Sequence, residues 1–177
     1  MYCKLAGCVL IVAGGLMMGL KFAFDMKKRT AQLRELQRIV SYFEGEITYR
    51  HAILSEACLL VAAKCGQPFR EWIENLGNEL ALEDDERKPE SFYESWCASL
   101  DFLKKNTKLK AGDIAVLKSL GQAFGYLDIQ TQQMTVELEK ENLSKIIKYA
   151  DEELVSHMRI SVVFGVLGGL MIVIMLV

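Results

Sequence analysis

Apolar side chains recur along this chain at helical rather than strand spacing. Between residues 32 and 49 they fall at Leu33, Leu36, Val40, Phe43 and Ile47. Steps of three and four residues put all five on one stripe of a helix. Residues 53–65 repeat the pattern with Leu54, Ala57, Cys58, Val61 and Ala62, and Gly66 is placed to stop that helix. Pro68 suits a first helical turn, and Phe69, Trp72, Ile73, Leu76 and Leu80 form the next stripe. Residues 83–86, Glu-Asp-Asp-Glu, read as a solvated loop, after which Pro89 restarts a helix with Phe92, Trp96 and Leu100 facing in. Residues 104–110 read as a polar loop. Asp113 is placed to cap a helix carrying Ile114, Leu117, Leu120 and Phe124. Inside it Gly121 predicts a close helix contact, and Gly125 predicts a C-cap. Asp128 can cap a last, long helix. On it Ile129, Val136, Leu143 and Ala150 recur every seven residues, with Ile147 and Leu154 offset by four, a coiled-coil-like seam.

The two ends break the amphipathic pattern because they are apolar all round. Residues 160–177 read ISVVFGVLGGLMIVIMLV and carry no charge. A helix of about 17–25 such residues spans a bilayer core, and inside lipid only a helix satisfies its own backbone. Gly165, Gly168 and Gly169 lie close to one face of it, where small residues let a neighbouring helix approach. Residues 5–20 are likewise uncharged, Lys21 can snorkel, and Phe22, Ala23 and Phe24 extend the run. A cleaved signal peptide is disfavoured, since Lys4 is the sole early basic side chain and the run ends in Lys-Phe-Ala-Phe-Asp. Leu5-Ala6-Gly7-Cys8 has the composition of a lipoprotein cleavage box, but it precedes the hydrophobic run rather than following it. Nothing between either run and its neighbouring stripe breaks a helix. The expected organisation is therefore a membrane helix over 1–26, a helical domain over 27–159 and a second membrane helix over 160–177. The expected fold class is all-α: a cytosolic bundle of about six helices whose first and last continue into two transmembrane helices.

Charge fixes the orientation. Lys27, Lys28, Arg29, Arg34, Arg38, Lys145, Lys148 and Arg159 flank the two runs on the side of the middle region, against Lys4 alone outside. The positive-inside rule then places the middle region in the cytoplasm and both termini across the membrane. Lys27, Lys28 and Arg29 can also contact anionic lipid head groups. The net charge of −2 gives no reason to expect a nucleic-acid partner.

Candidate chemistry is sparse. The five cysteines, Cys3, Cys8, Cys58, Cys65 and Cys97, form no C-x-x-C pair, and the two histidines, His51 and His157, stand far from any pair of them. Four clustered ligands of the kind zinc needs are not laid out, and reduced, packed thiols are the simpler account. Glu44 and Glu46 are two apart and cannot share a helix face, so they do not read as a carboxylate pair. His51 has no visible partner as a general base. No phosphate loop and no nucleophile with its base are found, so neither a catalytic activity nor a cofactor is expected.

The order of these features resembles the stage III sporulation protein AB family of endospore-forming bacteria. Residues 43–51, FEGEITYRH, resemble its E-I-x-Y stretch through Glu46 and Tyr49, and Leu54 and Ala57 follow in place. Trp96 and Leu100 match an aromatic-bearing helix. Residues 117–133, LKSLGQAFGYLDIQTQQ, align Gly121, Gly125, Asp128, Gln132 and Gln133 with the family pattern. One departure lies just after the E-I-x-Y stretch, where the family's Thr-Pro-Leu is missing and Arg50-His51-Ala52-Ile53-Leu54 stands instead. The resemblance implies a role in the mother cell, in a secretion-like channel at the outer forespore membrane. It implies a domain similar to the platform protein of type II secretion and type IV pilus systems. The implied partners are a cytosolic ATPase, stage III sporulation protein AA, other stage III channel proteins, membrane lipids, and as a further candidate a second copy of the chain. The alternative is the inner-membrane platform of a vegetative type II secretion or type IV pilus system, which favours two tandem bundles where this chain has one.

Overall fold

In the computed structural model the described residues are 2–50, 53–82, 89–125 and 129–176. Their side chains are described mainly over 19–47, 53–82, 92–125 and 130–156. All regular structure among them is helical: α1 (Tyr2–Arg50), α2 (Leu54–Ala62), α3 (Phe69–Leu82), α4 (Pro89–Asn106), α5 (Ala111–Phe124) and α6 (Ile129–Leu176). The all-α class and the number of helices agree with the periodicity. Two compact units share them. One is Met1–Thr30 with Lys148–Val177, and the other is Ala31–Ile147.

The stripes of the second unit make its core. Leu33, Leu36, Val40 and Phe43 of α1 are at most 2% exposed, while Ile47 is half-buried. Ala57, Cys58, Val61 and Ala62 of α2 meet Phe69, Trp72, Ile73, Leu76 and Leu80 of α3, and these pack on α4 and α5 in chain order. In α6 the sevenfold spacing is kept: Val136 and Leu143 are buried here, and Ala150 is buried in the other unit. A buried aliphatic or aromatic side chain contributes about 1.5–3 kcal/mol relative to an exposed one, so one stripe on each helix is what holds the unit.

Several expected boundaries move. α2 ends at Ala62, before Gly66, because its last turn tightens: Lys64 N–H bonds the Val61 carbonyl at 2.9 Å and Cys65 N–H the Ala62 carbonyl at 3.1 Å. Cys65 therefore lies beyond the helix. Pro68 stands just before α3, where its carbonyl accepts the Trp72 N–H at 3.2 Å. The expected loop over 104–110 shrinks to 107–110. Leu103 is completely buried, which draws α4 on to Asn106. The Asn106 side chain and Thr107 then bond the carbonyls of Phe102 and Leu103, and Lys104 and Lys105 suit the negative end of the helix dipole. Asp113 is not the first cap of α5. Lys110 holds that place, and Asp113, three residues on, accepts the Lys110 N–H at 2.8 Å. A lysine side chain has no acceptor to return this bond. Gly125 is the C-cap as expected but has right-handed helical angles (φ −80°, ψ −7°), so the position needs no left-handed glycine.

Among the described residues no helix is long and apolar enough to cross a membrane. The two expected spans fall on the ends of α1 and α6, where most or all of the side chains lie outside the described residues.

Candidate functional site

The residues singled out in the sequence sort into a buried hub, two polar locks and an exposed set. Trp96 of α4 is the hub, at 1% exposed. Its ring lies against Phe43 of α1, Trp72 of α3, Phe92 of α4 and Phe124 of α5, with centroids 6.1, 5.2, 5.8 and 6.1 Å away. Edge-on and tilted pairs of this kind add about 0.5–1.5 kcal/mol each beyond area burial. The indole N–H donates to the Leu117 carbonyl at 2.7 Å. The Trp72 indole N–H donates to Ser99 Oγ at 2.8 Å, which itself donates to the Trp96 carbonyl at 2.7 Å. Gly121 lies under the Trp96 ring. A Cβ built there would lie within 2.6 Å of ring atoms Cδ1, Nε1 and Cγ. Gly77 of α3 plays a similar part, 3.0 Å from Cys58 Cβ of α2 at its own would-be Cβ, and the sequence pattern missed it.

The first lock is Glu46. It is buried at 5% exposed and accepts Lys64 Nζ at 2.7 Å, across the turn that follows α2. Lys64 also sits 5.4 Å from the centroid of the Tyr42 ring. No local signal in the sequence joins Glu46 to a lysine eighteen residues away. The second lock is Gln132, buried at the start of α6, whose side-chain amide donates to the Phe124 carbonyl at 3.0 Å. That carbonyl is among the last of α5 and has no helical partner of its own. Gln132 thus ties the end of α5 to the next helix, and Gln133 beside it is exposed. Glu44 faces away from Glu46, as their spacing requires, and pairs with Lys140 of α6 at 2.9 Å. The Lys140 ammonium is held above the usual lysine range, first by its bond to Glu44.

Lys27 and Lys28 are exposed, whereas Arg29 turns to Glu153 of α6 at 3.6 Å within the first unit. The Tyr49 side chain, Asp128, His51 and the side-chain surroundings of Gly165, Gly168 and Gly169 lie outside the described residues. Among the described residues no three His, Cys, Asp or Glu side chains converge as a metal site requires.

Burial pushes the Cys58 thiol up to about 12 and the Cys65 thiol up to about 11, the latter with help from the Glu35 carboxylate and against Arg38 and Lys64. The thiolate is the reactive form. At pH 8 only about one Cys58 in ten thousand is ionised in the native chain, so iodoacetamide should leave it unmodified until the chain unfolds. Mass spectrometry after a pulse of reagent checks this, and ready native labelling would show that the α2–α3 contact opens. The folded pKa is above the ordinary thiol value of 9.0. Below about pH 9 the neutral thiol is common to both states. From there towards 12 the unfolded chain ionises first, and stability should fall by about 1.4 kcal/mol per pH unit.

Three comparisons bear on what such a bundle does. A family model described as stage III sporulation protein AB matches residues 4–177. A relative from Bacillus subtilis (strain 168), stage III sporulation protein AB, is 27% identical over 173 residues, covering 98% of each chain. A solved structure, also titled stage III sporulation protein AB (SpoIIIAB), superposes with a TM-score of 0.65 at 25% identity, over 72% of this chain and 97% of the other.

Proposed function

The chain belongs to the stage III sporulation protein AB family, a family of sporulation proteins, and from that premise we propose that it is a non-enzymatic membrane platform. In this reading it serves a secretion-like channel between mother cell and forespore, and it couples a cytosolic ATPase to the membrane assembly. The observation that carries the proposal is architectural. α1 and α6 are 49 and 48 residues long. Each begins or ends in a charge-free run, and each also supplies a buried stripe to the helical core. A single continuous helix is a stiff connection, and two of them would pass a displacement of the bundle to the bilayer. The runs at 5–20 and 160–177 would be the two spans, with Lys27 and Lys28 at the cytosolic head groups and the bundle in the mother-cell cytoplasm.

Two experiments test this. Deletion in an endospore-forming host should let engulfment finish and then arrest forespore development under the microscope. Normal spores with a loss of vegetative secretion or piliation would move the protein to the alternative pathway. Membranes washed with alkaline carbonate should retain the chain, and its release into the wash would remove the two spans from the proposal.

A further inference from the structure

We propose that the corner between α4 and α5 is a second membrane contact, a lysine surface that rests on anionic lipid head groups and holds the bundle against the bilayer. The proposal rests on the two-span reading above. Residues 101–118 carry five lysines, Lys104, Lys105, Lys108, Lys110 and Lys118, and two aspartates. All five lysines are exposed. Of the aspartates, Asp113 is buried and accepts the Lys110 N–H at 2.8 Å, and Asp101 bonds Lys104 at 2.6 Å. In α2 and α3 the balance is reversed, with Glu56, Glu71, Glu74 and Glu79 against Arg70. A chain whose net charge is −2 thus gathers cations at one corner. Between Lys104 and Lys118 the corner also has an apolar groove floor at Leu109, Ala111 and Ile114.

The place of this corner in the fold says what it faces. Gln32 of α1 is buried at the start of the second unit, and its side-chain Oε1 accepts the Lys108 N–H at 2.8 Å. The turn over 107–110 is thereby pinned to the end of the bundle at which α1 enters. Its other backbone donors are also held, with Thr107 N–H on the Leu103 carbonyl at 2.9 Å and Lys110 N–H on Asp113, so the lysines stand on a fixed frame. Gln32 is eight residues past Phe24, where the apolar run closes, at most about 12 Å along a helix. Head groups occupy about 5–8 Å beyond the hydrocarbon core on each side, and the attraction of an anionic leaflet reaches a further 8–10 Å or so at moderate salt. The corner lies within that range. Residues 26–34 of α1 add Lys27, Lys28, Arg29 and Arg34 and no carboxylate, so no acid on this stretch repels the surface. Charge alone would equally suit an acidic protein. The position at the membrane end of the bundle selects lipid.

Amine labelling of the full chain in lipid nanodiscs tests the contact. Discs of phosphatidylcholine alone are compared with discs rich in phosphatidylglycerol, and acetylation of each lysine is read by mass spectrometry. In the anionic discs the five corner lysines should label at least about fivefold more slowly at about 50 mM salt, and should recover at about 500 mM, where screening acts within a few ångströms. Lys64 is the internal reference, since it is bonded to Glu46, fourteen residues farther along α1 than Gln32, and should label alike in both. Lys105→Gln with Lys108→Gln removes two exposed charges and keeps the backbone bond to Gln32. It should cut the protection of the other three by about fivefold for each charge removed. Equal labelling in the two kinds of disc overturns the contact and leaves the two spans standing, and so does protection indifferent to the double variant. A chain that enters neither kind of disc overturns the spans and the contact together. Protection that appears in neutral discs, or in detergent as the chain is concentrated, assigns the lysines to a protein surface and overturns the lipid reading.

Discussion

Gly121→Ala should cost the bundle about 2–3 kcal/mol, although alanine is the better helix former by up to about 1 kcal/mol. The added methyl would lie within 2.6 Å of three atoms of the Trp96 ring. The ring cannot step aside cheaply. It is held by its bond to the Leu117 carbonyl and hemmed by Phe43, Trp72, Phe92 and Phe124. Moving it breaks the bond and loosens four helices at once. A drop in Tm of roughly 5–10 °C is expected. Gly112 is the control, since it is in the same helix, is exposed, and has nothing within 4 Å of a would-be Cβ. Gly112→Ala should leave stability unchanged or raise it by a fraction of that propensity gain. Shrinking Trp96 to Leu should make Gly121→Ala nearly harmless in the double variant, because residues in contact do not act additively. Equal melting of the two single glycine variants would mean that the α4–α5 contact is looser than described.

Leu143→Pro should be more damaging still. Leu143 is 1% exposed in the interior of α6. Proline there removes a helical hydrogen bond and clashes with the preceding turn, at about 3 kcal/mol, and loss of the packed leucine adds about 2–5 kcal/mol. The sum rivals the whole stability of an ordinary domain, about 5–15 kcal/mol, so the chain should fail to accumulate in a folded form. Two relatives of this variant separate the causes. Leu143→Ala keeps the helix and loses only the packing. Ser144→Pro is exposed, so it breaks the helix and spares the core. If the proposed platform works through a stiff α6, Ser144→Pro should abolish sporulation while the protein remains folded in the membrane, and Leu143→Ala should not. Sporulation with Ser144→Pro would count against α6 as the connection, and a Leu143→Pro chain that unfolds in denaturant like the wild type would mean that α6 is not packed along this seam.

Helical periodicity identified the buried side chains well where each helix has one inward face. Leu33, Leu36, Val40 and Phe43, or Trp72, Ile73 and Leu76, are apolar at the spacing that one face imposes, and burial follows from spacing alone. It failed where a second neighbour widens the face. Ile39 is buried beside the α1 stripe, and Leu103 is buried one turn past Leu100, the last side chain of α4 expected to face in. The resemblance to a family marked Glu46, Trp96, Gly121 and Gln132 without giving any of them a task.

The all-helical class, the six helices, most of the core stripe on each helix and the family were legible in the amino-acid order alone. Each of these rests on local period, composition or the order of features along the chain. The tertiary structure alone decided the partners: Glu46 with Lys64, Glu44 with Lys140, Gln132 with the Phe124 carbonyl, and Gly121 beneath Trp96. These pairs stand eight to ninety-six residues apart. A hydrogen bond or a steric contact acts over about 3 Å, and only the packing of the helices says which distant groups come within that reach.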